Sequence, residues 1–209
     1  MIKVRNISKK FIIKNTTVQA LDNINMLIEE HDCFAIVGES GSGKTTLAES
    51  LLSKLKNENL SVTLIDGDRV RDSRKKKLGF SRSDIEQNGF YVLELCEKER
   101  LTHEYVLVAV ITPFETVRRE ARKRLGPNYF EVFVSTSLDI CKSRDTKGLY
   151  RKAELGEIEN LIGVSATVPF EPPNIPDLAI DTHQMTVEEG TRMLLAGIKE
   201  WLNLGRSKA

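Results

Sequence analysis

Three cysteines, one tryptophan and six prolines are all that 209 residues hold of these types. Cys33, Cys96 and Cys141 are odd in number and widely scattered, which excludes a disulfide framework and a zinc-ligand spacing. Each sits among aliphatic residues and reads as a small buried hydrophobe. His31, His103 and His183 are equally isolated, so no histidine cluster suggests a metal or a catalytic dyad. An excess of charge of one sign is missing too: 31 Lys and Arg face 30 Asp and Glu, for a net charge of +1. A near-neutral chain has no global electrostatic reason to coat nucleic acid or an anionic membrane. No apolar run reaches the roughly 18 residues a membrane helix needs, and the N-terminus shows no apolar h-region of a secretory signal. The expectation is a cytoplasmic protein with neither membrane nor nucleic acid as partner.

What is present suffices for a core: 40% of the residues are apolar and 29% charged, in the range of ordinary globular domains. Strand-like and helix-like segments alternate. Residues 2–4 and 17–28 read as strands of an N-terminal hairpin, with a bend at Asp22-Asn23. Residues 33–37 form a short apolar strand, and from Lys44 the apolar residues Leu47, Leu51, Leu52 and Leu55 fall at helical spacing. Strands are predicted at 62–65, 105–111, 130–134 and 178–180. Helices are predicted over 83–99, capped by Ser83, and from Pro113 through Arg124. A short helix starts at Ser137 and is interrupted by Asp145-Thr146-Lys147-Gly148. A C-terminal helix opens with a Thr186/Glu189 capping box, and Trp201 lies on its apolar face. Four of the six prolines lie in 160–176, an irregular connection. Alternation of this kind predicts an α/β fold, a doubly wound parallel sheet with helices on both faces and a small N-terminal β-hairpin. The expected division is 1–30 for the hairpin extension and 31–209 for the main domain.

The segment Gly38-Glu39-Ser40-Gly41-Ser42-Gly43-Lys44-Thr45-Thr46 is a complete Walker A phosphate loop between an apolar strand and an amphipathic helix. Glycines let consecutive backbone N–H groups converge on phosphate oxygens, and the helix N-terminus adds its dipole. Lys44 would reach the β- and γ-phosphates of ATP, and the Thr45 hydroxyl would ligate Mg²⁺. Asp66 and Asp68 end the next strand, at the carboxyl edge where ligands bind in such sheets. Asp68 is the candidate to orient or deprotonate an acceptor hydroxyl, with Asp66 supporting the metal. The run Arg74-Lys75-Lys76-Lys77 is one local basic patch, read as a solvated face or a steering surface.

The opening residues, Ile2 to Phe11, Ala20 to Asn25 and Val37 to Leu47, resemble the start of an ABC-type ATPase. The rest does not follow, since no Leu-Ser-Gly-Gly-Gln segment, no Asp-Glu strand end and no late switch histidine appear. From the phosphate loop onward the chain resembles the adenylyl-sulfate (APS) kinase family over about residues 33–183. The resemblance rests on Ile65-Asp66-Gly67-Asp68-Arg69-Val70-Arg71, Leu78-Gly79-Phe80-Ser81, Ile111-Thr112-Pro113-Phe114, Phe130 to Val134, Arg144 to Ala153 with Gly156-Glu157-Ile158, and Pro176-Asp177-Leu178 to Asp181-Thr182. It implies a P-loop kinase that phosphorylates the 3′-hydroxyl of adenosine 5′-phosphosulfate with MgATP. It also implies a lid over about 144–165, and a homodimer. By resemblance Lys147 and Arg144 neutralise charge on the transferring phosphoryl group, while Arg71 and Arg118 hold the anionic part of the acceptor. Phe80 stacks on its base, and Asn88 and Leu149 complete the substrate set. Thr112 takes the family's serine position. The pattern breaks on the acceptor side. The family's Asp-Arg-x-x-Asn-Ile-Arg-Arg reads Asp84-Ile85-Glu86-Gln87-Asn88-Gly89-Phe90-Tyr91 here, its Phe-Thr-Gly-Ile reads Leu161-Ile162-Gly163-Val164, and Glu115 stands where a basic residue is common. Two other readings therefore accompany the APS reading. One is a kinase of the same fold acting on a different nucleotide or anionic metabolite, such as cytidine diphosphoramidate. The other is an ATP-gated binding module.

Overall fold

The computed structural model describes residues 2–13, 16–28, 31–74 and 78–204, the first two ranges by their backbone alone. The basic run Lys75-Lys76-Lys77 lies outside the described residues. Strands β1 (Ile2–Ile13) and β2 (Thr16–Ile28) pair antiparallel in a two-stranded sheet of their own. Their register shifts on either side of Ile7, across from the expected Asp22-Asn23 bend.

The main sheet is built from β3 (Asp32–Gly38), β4 (Val62–Asp66), β5 (Tyr105–Ala109), β6 (Tyr129–Val134) and β7 (Leu178–Ile180), in the order β4-β5-β3-β6-β7 with every neighbouring pair parallel. Each residue of β3 is buried, because the strand is central and covered on both faces. Period-two alternation divides its side chains. Phe34 and Ile36 join Leu51 of α1 (Lys44–Asn57) and Leu194, Ile198 and Trp201 of the C-terminal helix, while Cys33, Ala35 and Val37 join the opposite layer. That second layer is closed by Val92, Leu93 and Cys96 from α3 (Arg82–Glu99), and by Ala121 and Leu125 from α4 (Glu115–Leu125). All three cysteines are free and buried, and the Sγ atoms of Cys33 and Cys96 lie 2.7 Å apart.

A short helix α2 (Gly67–Ser73) follows β4 directly. The segment after β6 folds as α5 (Leu138–Arg144), a turn in which Asp145 and Gly148 both take positive φ, and α6 (Leu149–Glu154). The C-terminal helix α7 (Val187–Asn203) opens with the Thr186/Glu189 capping box, both of its reciprocal hydrogen bonds formed.

Strand β1 runs to Ile13, well past the expected end at Val4, and three boundaries in the main domain differ from the sequence reading. Helix α3 is capped by Ser81, whose Oγ accepts from the Asp84 N–H at 3.2 Å, so Ser83 lies inside its first turn. Strand β5 ends at Ala109, because the chain must turn into a loop where Thr112 sits at φ +40°. Helix α4 starts at Glu115, since Phe114 keeps an extended backbone as its N-cap.

Candidate active site

A cleft opens at the carboxyl ends of the strands of the parallel sheet. It measures about 440 Å³ and is lined by the phosphate loop, β4–α2, the 110–113 loop, α3 and residues of the 146–162 segment. The sharp exit from β3 requires glycine at position 38. Its φ is +153°, and a Cβ there would stand 2.6 Å from the Val134 carbonyl oxygen. Lys44 is buried at the first position of α1, and its Nζ donates to the Glu39 carbonyl at 2.7 Å. Burial, reinforced by the nearby Lys147 charge, lowers its pKa to about 8. An anion brought alongside would raise it again.

The Thr45 hydroxyl donates to Asp66 Oδ2 at 3.0 Å, and Asp66 Oδ1 caps α2 by accepting from the Asp68 and Arg69 N–H groups at 3.1 Å each. Asp66 is thus pinned at the end of β4 with one oxygen turned to the phosphate loop. Two residues on, the helical turn swings Asp68 outward to 63% side-chain exposure, where its carboxylate pairs with Lys147 Nζ. Lys147 reaches it from the Asp145–Gly148 turn, whose two left-handed residues fold the chain back over the cleft.

The predicted residues divide into those the fold brings together and those it does not. Lys44, Thr45, Thr46, Asp66, Asp68, Arg71, Phe80, Asn88, Thr112, Lys147 and Leu149 all line the cleft. So do Ser40, Gly41 and Gly43 of the phosphate loop, while Gly38, Glu39 and Ser42 lie behind it. Arg71 donates to the carbonyls of Leu78 and Gly79 and lies 4.0 Å over the ring of Phe80, which is 49% exposed. Asn88 Oδ1 is buried beside the cleft without a hydrogen-bond partner.

Arg118 is elsewhere. It is 4% exposed and outside the cleft lining, with its guanidinium committed to the Thr112 carbonyl at 2.7 Å, the Glu171 carbonyl at 2.7 Å and the Glu131 carboxylate at 3.2 Å. Arg144 belongs to the end of α5. It donates to the Thr182 carbonyl at 2.7 Å, the Thr182 hydroxyl at 2.9 Å and the Gly41 carbonyl at 3.4 Å, which places it behind the phosphate loop. Phe90 and Tyr91 line a separate groove on the outer side of α3, with Arg74 stacked on Tyr91. They do not stand in for the arginines missing from the acceptor side. Ile85 and Gly89 do line the cleft.

Other contacts were not read from the sequence. Tyr150 Oη donates to the Ser40 carbonyl at 2.8 Å, and Thr182 Oγ1 donates to the Ser42 carbonyl at 2.8 Å, so the loop is held from the lid side and from β7. Glu39 packs its carboxylate against Gly163, where a Cβ would collide with it. Burial raises that carboxyl to about 7, against a smaller opposing pull from Lys44.

A phosphate loop on a central parallel strand, one carboxylate at the end of β4, a second in the first turn of α2 and a lysine folded over them define a P-loop kinase. Comparison with known proteins narrows the class. The profile of the adenylylsulphate kinase family matches residues 32–181. The adenylyl-sulfate kinase of Synechococcus sp. (strain JA-3-3Ab) is 37% identical over 162 residues, covering 78% of this chain and 90% of its own. That of Bacteroides thetaiotaomicron is 41% identical over 159 residues, 76% of this chain and 78% of its own. The solved APS kinase of Mycobacterium tuberculosis, in complex with AMPPNP and APS, superposes with a TM-score of 0.73 at 30% identity, over 81% of this chain and 98% of that one. A gluconokinase from Sinorhizobium meliloti, at 16% identity and a TM-score of 0.55, shares the fold. This chain belongs to the adenylylsulphate kinase family, and it is a kinase that phosphorylates a hydroxyl group. The profile begins at residue 32, so the β1–β2 hairpin that resembles an ABC ATPase lies outside the match.

Proposed function

We propose that the protein transfers the γ-phosphoryl group of MgATP to the 3′-hydroxyl of adenosine 5′-phosphosulfate. The observation that carries this is the pairing of Asp68 with Lys147 at the mouth of a complete phosphate loop, within a family whose relatives bear that name. Main-chain N–H groups of residues 39–45 and the Lys44 ammonium bind the phosphates, whose negative charge offsets the burial that lowers the Lys44 pKa. The acceptor base stacks on Phe80, which Arg71 backs from one face. Asn88 Oδ1 receives a donor of the acceptor, since a buried carbonyl without a partner costs about 1–3 kcal/mol until it finds one. Asp68 accepts the hydroxyl proton as the oxygen attacks phosphorus in line and the bond to the β-phosphate breaks. Lys147, held against Asp68, offsets the charge that builds on the transferred group. Arg144 and Thr182 act behind the loop, keeping its carbonyls turned away from the phosphates.

Thr45 Oγ1 and Asp66 Oδ2 form a hard-oxygen pair of the kind Mg²⁺ takes, and they would hold the ion. When bound it neutralises charge on the β- and γ-phosphates. Residues 31–209 constitute the kinase domain in this reading, and residues 1–30 an extension. A cytoplasmic homodimer completes it. No helix among the described residues is long and apolar enough to cross a membrane, and a solved APS kinase of Thiobacillus denitrificans is a hexamer.

One observation favours a second reading, a different nucleotide acceptor. Among the described residues lining the cleft the cations are Lys44, Arg71 and Lys147, while Ile85, Leu161 and Ile162 make the acceptor end apolar. A coupled ADP-release assay decides between them. Turnover with MgATP and APS, reduced about 10²–10⁴-fold in Asp68→Ala, is the expected result. No turnover with APS beside activity on a cytidine nucleotide would establish the second reading. An Asp68→Ala variant as active as the wild type would overturn the role of Asp68.

A further inference from the structure

The acceptor end of the cleft is walled by three segments that share no secondary-structure element. Ile85 comes from the start of α3, Thr112 and Pro113 from the loop after β5, and Leu161 and Ile162 from the irregular connection. None of these lies within a strand of the sheet. Thr112 is also at φ +40°, a conformation that costs a non-glycine residue about 1–3 kcal/mol and persists only where its surroundings impose it.

One residue of the irregular connection, Glu171, bonds to both other segments without lining the cleft. The Glu171 N–H donates to the Pro113 carbonyl at 2.8 Å, and Glu171 Oε2 accepts the Glu115 N–H, the first of α4, at 2.8 Å. Its other oxygen, Oε1, pairs with Arg82 Nη2 at 3.3 Å at the start of α3. Its carbonyl accepts from Arg118 Nη2 at 2.7 Å, and Arg118 Nη1 donates in turn to the Thr112 carbonyl at 2.7 Å. The apolar side of the same junction is closed by Phe114, Ile85 and Val168, with Ile162 packed against them and Arg82 stacked 4.1 Å over Phe114. A carboxylate on the first N–H of an 11-residue helix is a charge-assisted bond aligned with the helix dipole, stronger than an isolated surface ion pair.

We propose that Glu171 is a positioning residue of the acceptor site. It fastens the strained Thr112–Pro113 wall, the start of α3 and the stem of the lid into one body, so that acceptor recognition depends on it and ATP binding does not. The phosphate loop, on β3 and α1, shares none of these contacts. The proposal rests on the acceptor binding between Phe80, Asn88 and Thr112, as described above.

The test compares wild type, Glu171→Ala and Glu171→Gln, with MgATP and APS each titrated in the ADP-release assay. Amide hydrogen exchange over residues 110–118 is followed in the same proteins without substrates. Glu171→Ala is expected to raise the acceptor KM about tenfold, leave the ATP KM within about twofold, and speed exchange at Glu115. Glu171→Gln, which keeps an oxygen for the Glu115 N–H, is expected to recover most of both effects. Unchanged acceptor KM with unchanged exchange overturns the proposal, and so does an equal rise in both KM values, which marks a general loss of structure. If the wild type does not turn over APS, the assigned acceptor is wrong. The exchange arm then decides alone: faster exchange at Glu115 in Glu171→Ala upholds the clamp, and unchanged exchange removes it.

Discussion

At the scale of single residues, the phosphate loop carries two groups whose charges the fold disfavours. Burial raises Glu39 from 4.5 to about 7 and lowers Lys44 from 10.5 to about 8. For Glu39 the folded pKa lies above the unfolded one, so the folded protein retains a proton that the unfolded chain releases. Its contribution to stability is complete below pH 4.5 and disappears as the pH rises through about 7. Glu39→Gln removes this dependence. Between about pH 5 and pH 8 the wild type is expected to lose about 1–2 kcal/mol more than the variant, after allowance for solvent screening of a partly exposed group. Urea unfolding at both pH values measures it, and parallel loss in the two proteins would show that Glu39 is not the group involved. Lys44 acts with the opposite sign: its contribution is complete above pH 10.5 and is lost as the pH falls through about 8.

At the scale of elements, the helices and strands are joined by a few polar ties that their own sequences do not announce. The buried side chains of Arg118 of α4 and Glu131 of β6 face each other, with Arg122 and Asp177 completing the group. Arg118→Ala leaves a buried carboxylate short of a partner and frees the Thr112 carbonyl. The expected cost is about 3–5 kcal/mol by urea denaturation, and a cost below about 1 kcal/mol would show the network to be dispensable. The Thr186 capping box is a smaller device on a helix that brings Leu194, Ile198 and Trp201 to the core. Thr186→Ala is expected to cost about 1 kcal/mol, as loss of a helix cap does. Its effect on turnover is expected to be slight, because α7 lies away from the cleft lining.

At the scale of the whole molecule, the strand order places β3 between β5 and β6, so the phosphate loop emerges at the middle of the sheet with a crossover on either side. The crevice outside the carboxyl ends is where such sheets bind ligands. A ligand that binds only the folded state stabilises it by mass action, about 2.7 kcal/mol at a hundred times its Kd. For a chain of this size that corresponds to a rise of roughly 5–10 °C in Tm. MgATP is expected to produce this shift, and EDTA to reduce it by more than half if Thr45 and Asp66 hold the metal. An identical shift with and without EDTA in a thermal melt would argue that the oxygens of Thr45 and Asp66 bind no cation.

Legible in the sequence alone are the parallel α/β architecture, the phosphate loop, Asp66 at the end of β4, the turn before Leu149 and the capping box of α7. Each is a local pattern, in which periodicity, glycine spacing or a cap acts between residues close along the chain. Boundaries are displaced by two residues at Ser81, at Glu115 and at the end of β5, where loop geometry outweighs apolar composition, and the end of β1 lies at Ile13 where Val4 was expected. Only the tertiary structure decided which polar side chains reach the cleft. Arg118 reads as a ligand for an anion until burial shows its guanidinium spent on Thr112, Glu131 and Glu171, and Arg144 until it is found behind the phosphate loop. Phe90 and Tyr91 sit next to Asn88 along the chain, yet the helical turn carries them to the opposite side of α3. Glu171, in a proline-rich connection without periodicity, gains its meaning from partners 56 and 53 residues away at Glu115 and Arg118. Hydrogen bonds of that range depend on how the sheet is wound, and no local pattern in the chain encodes them.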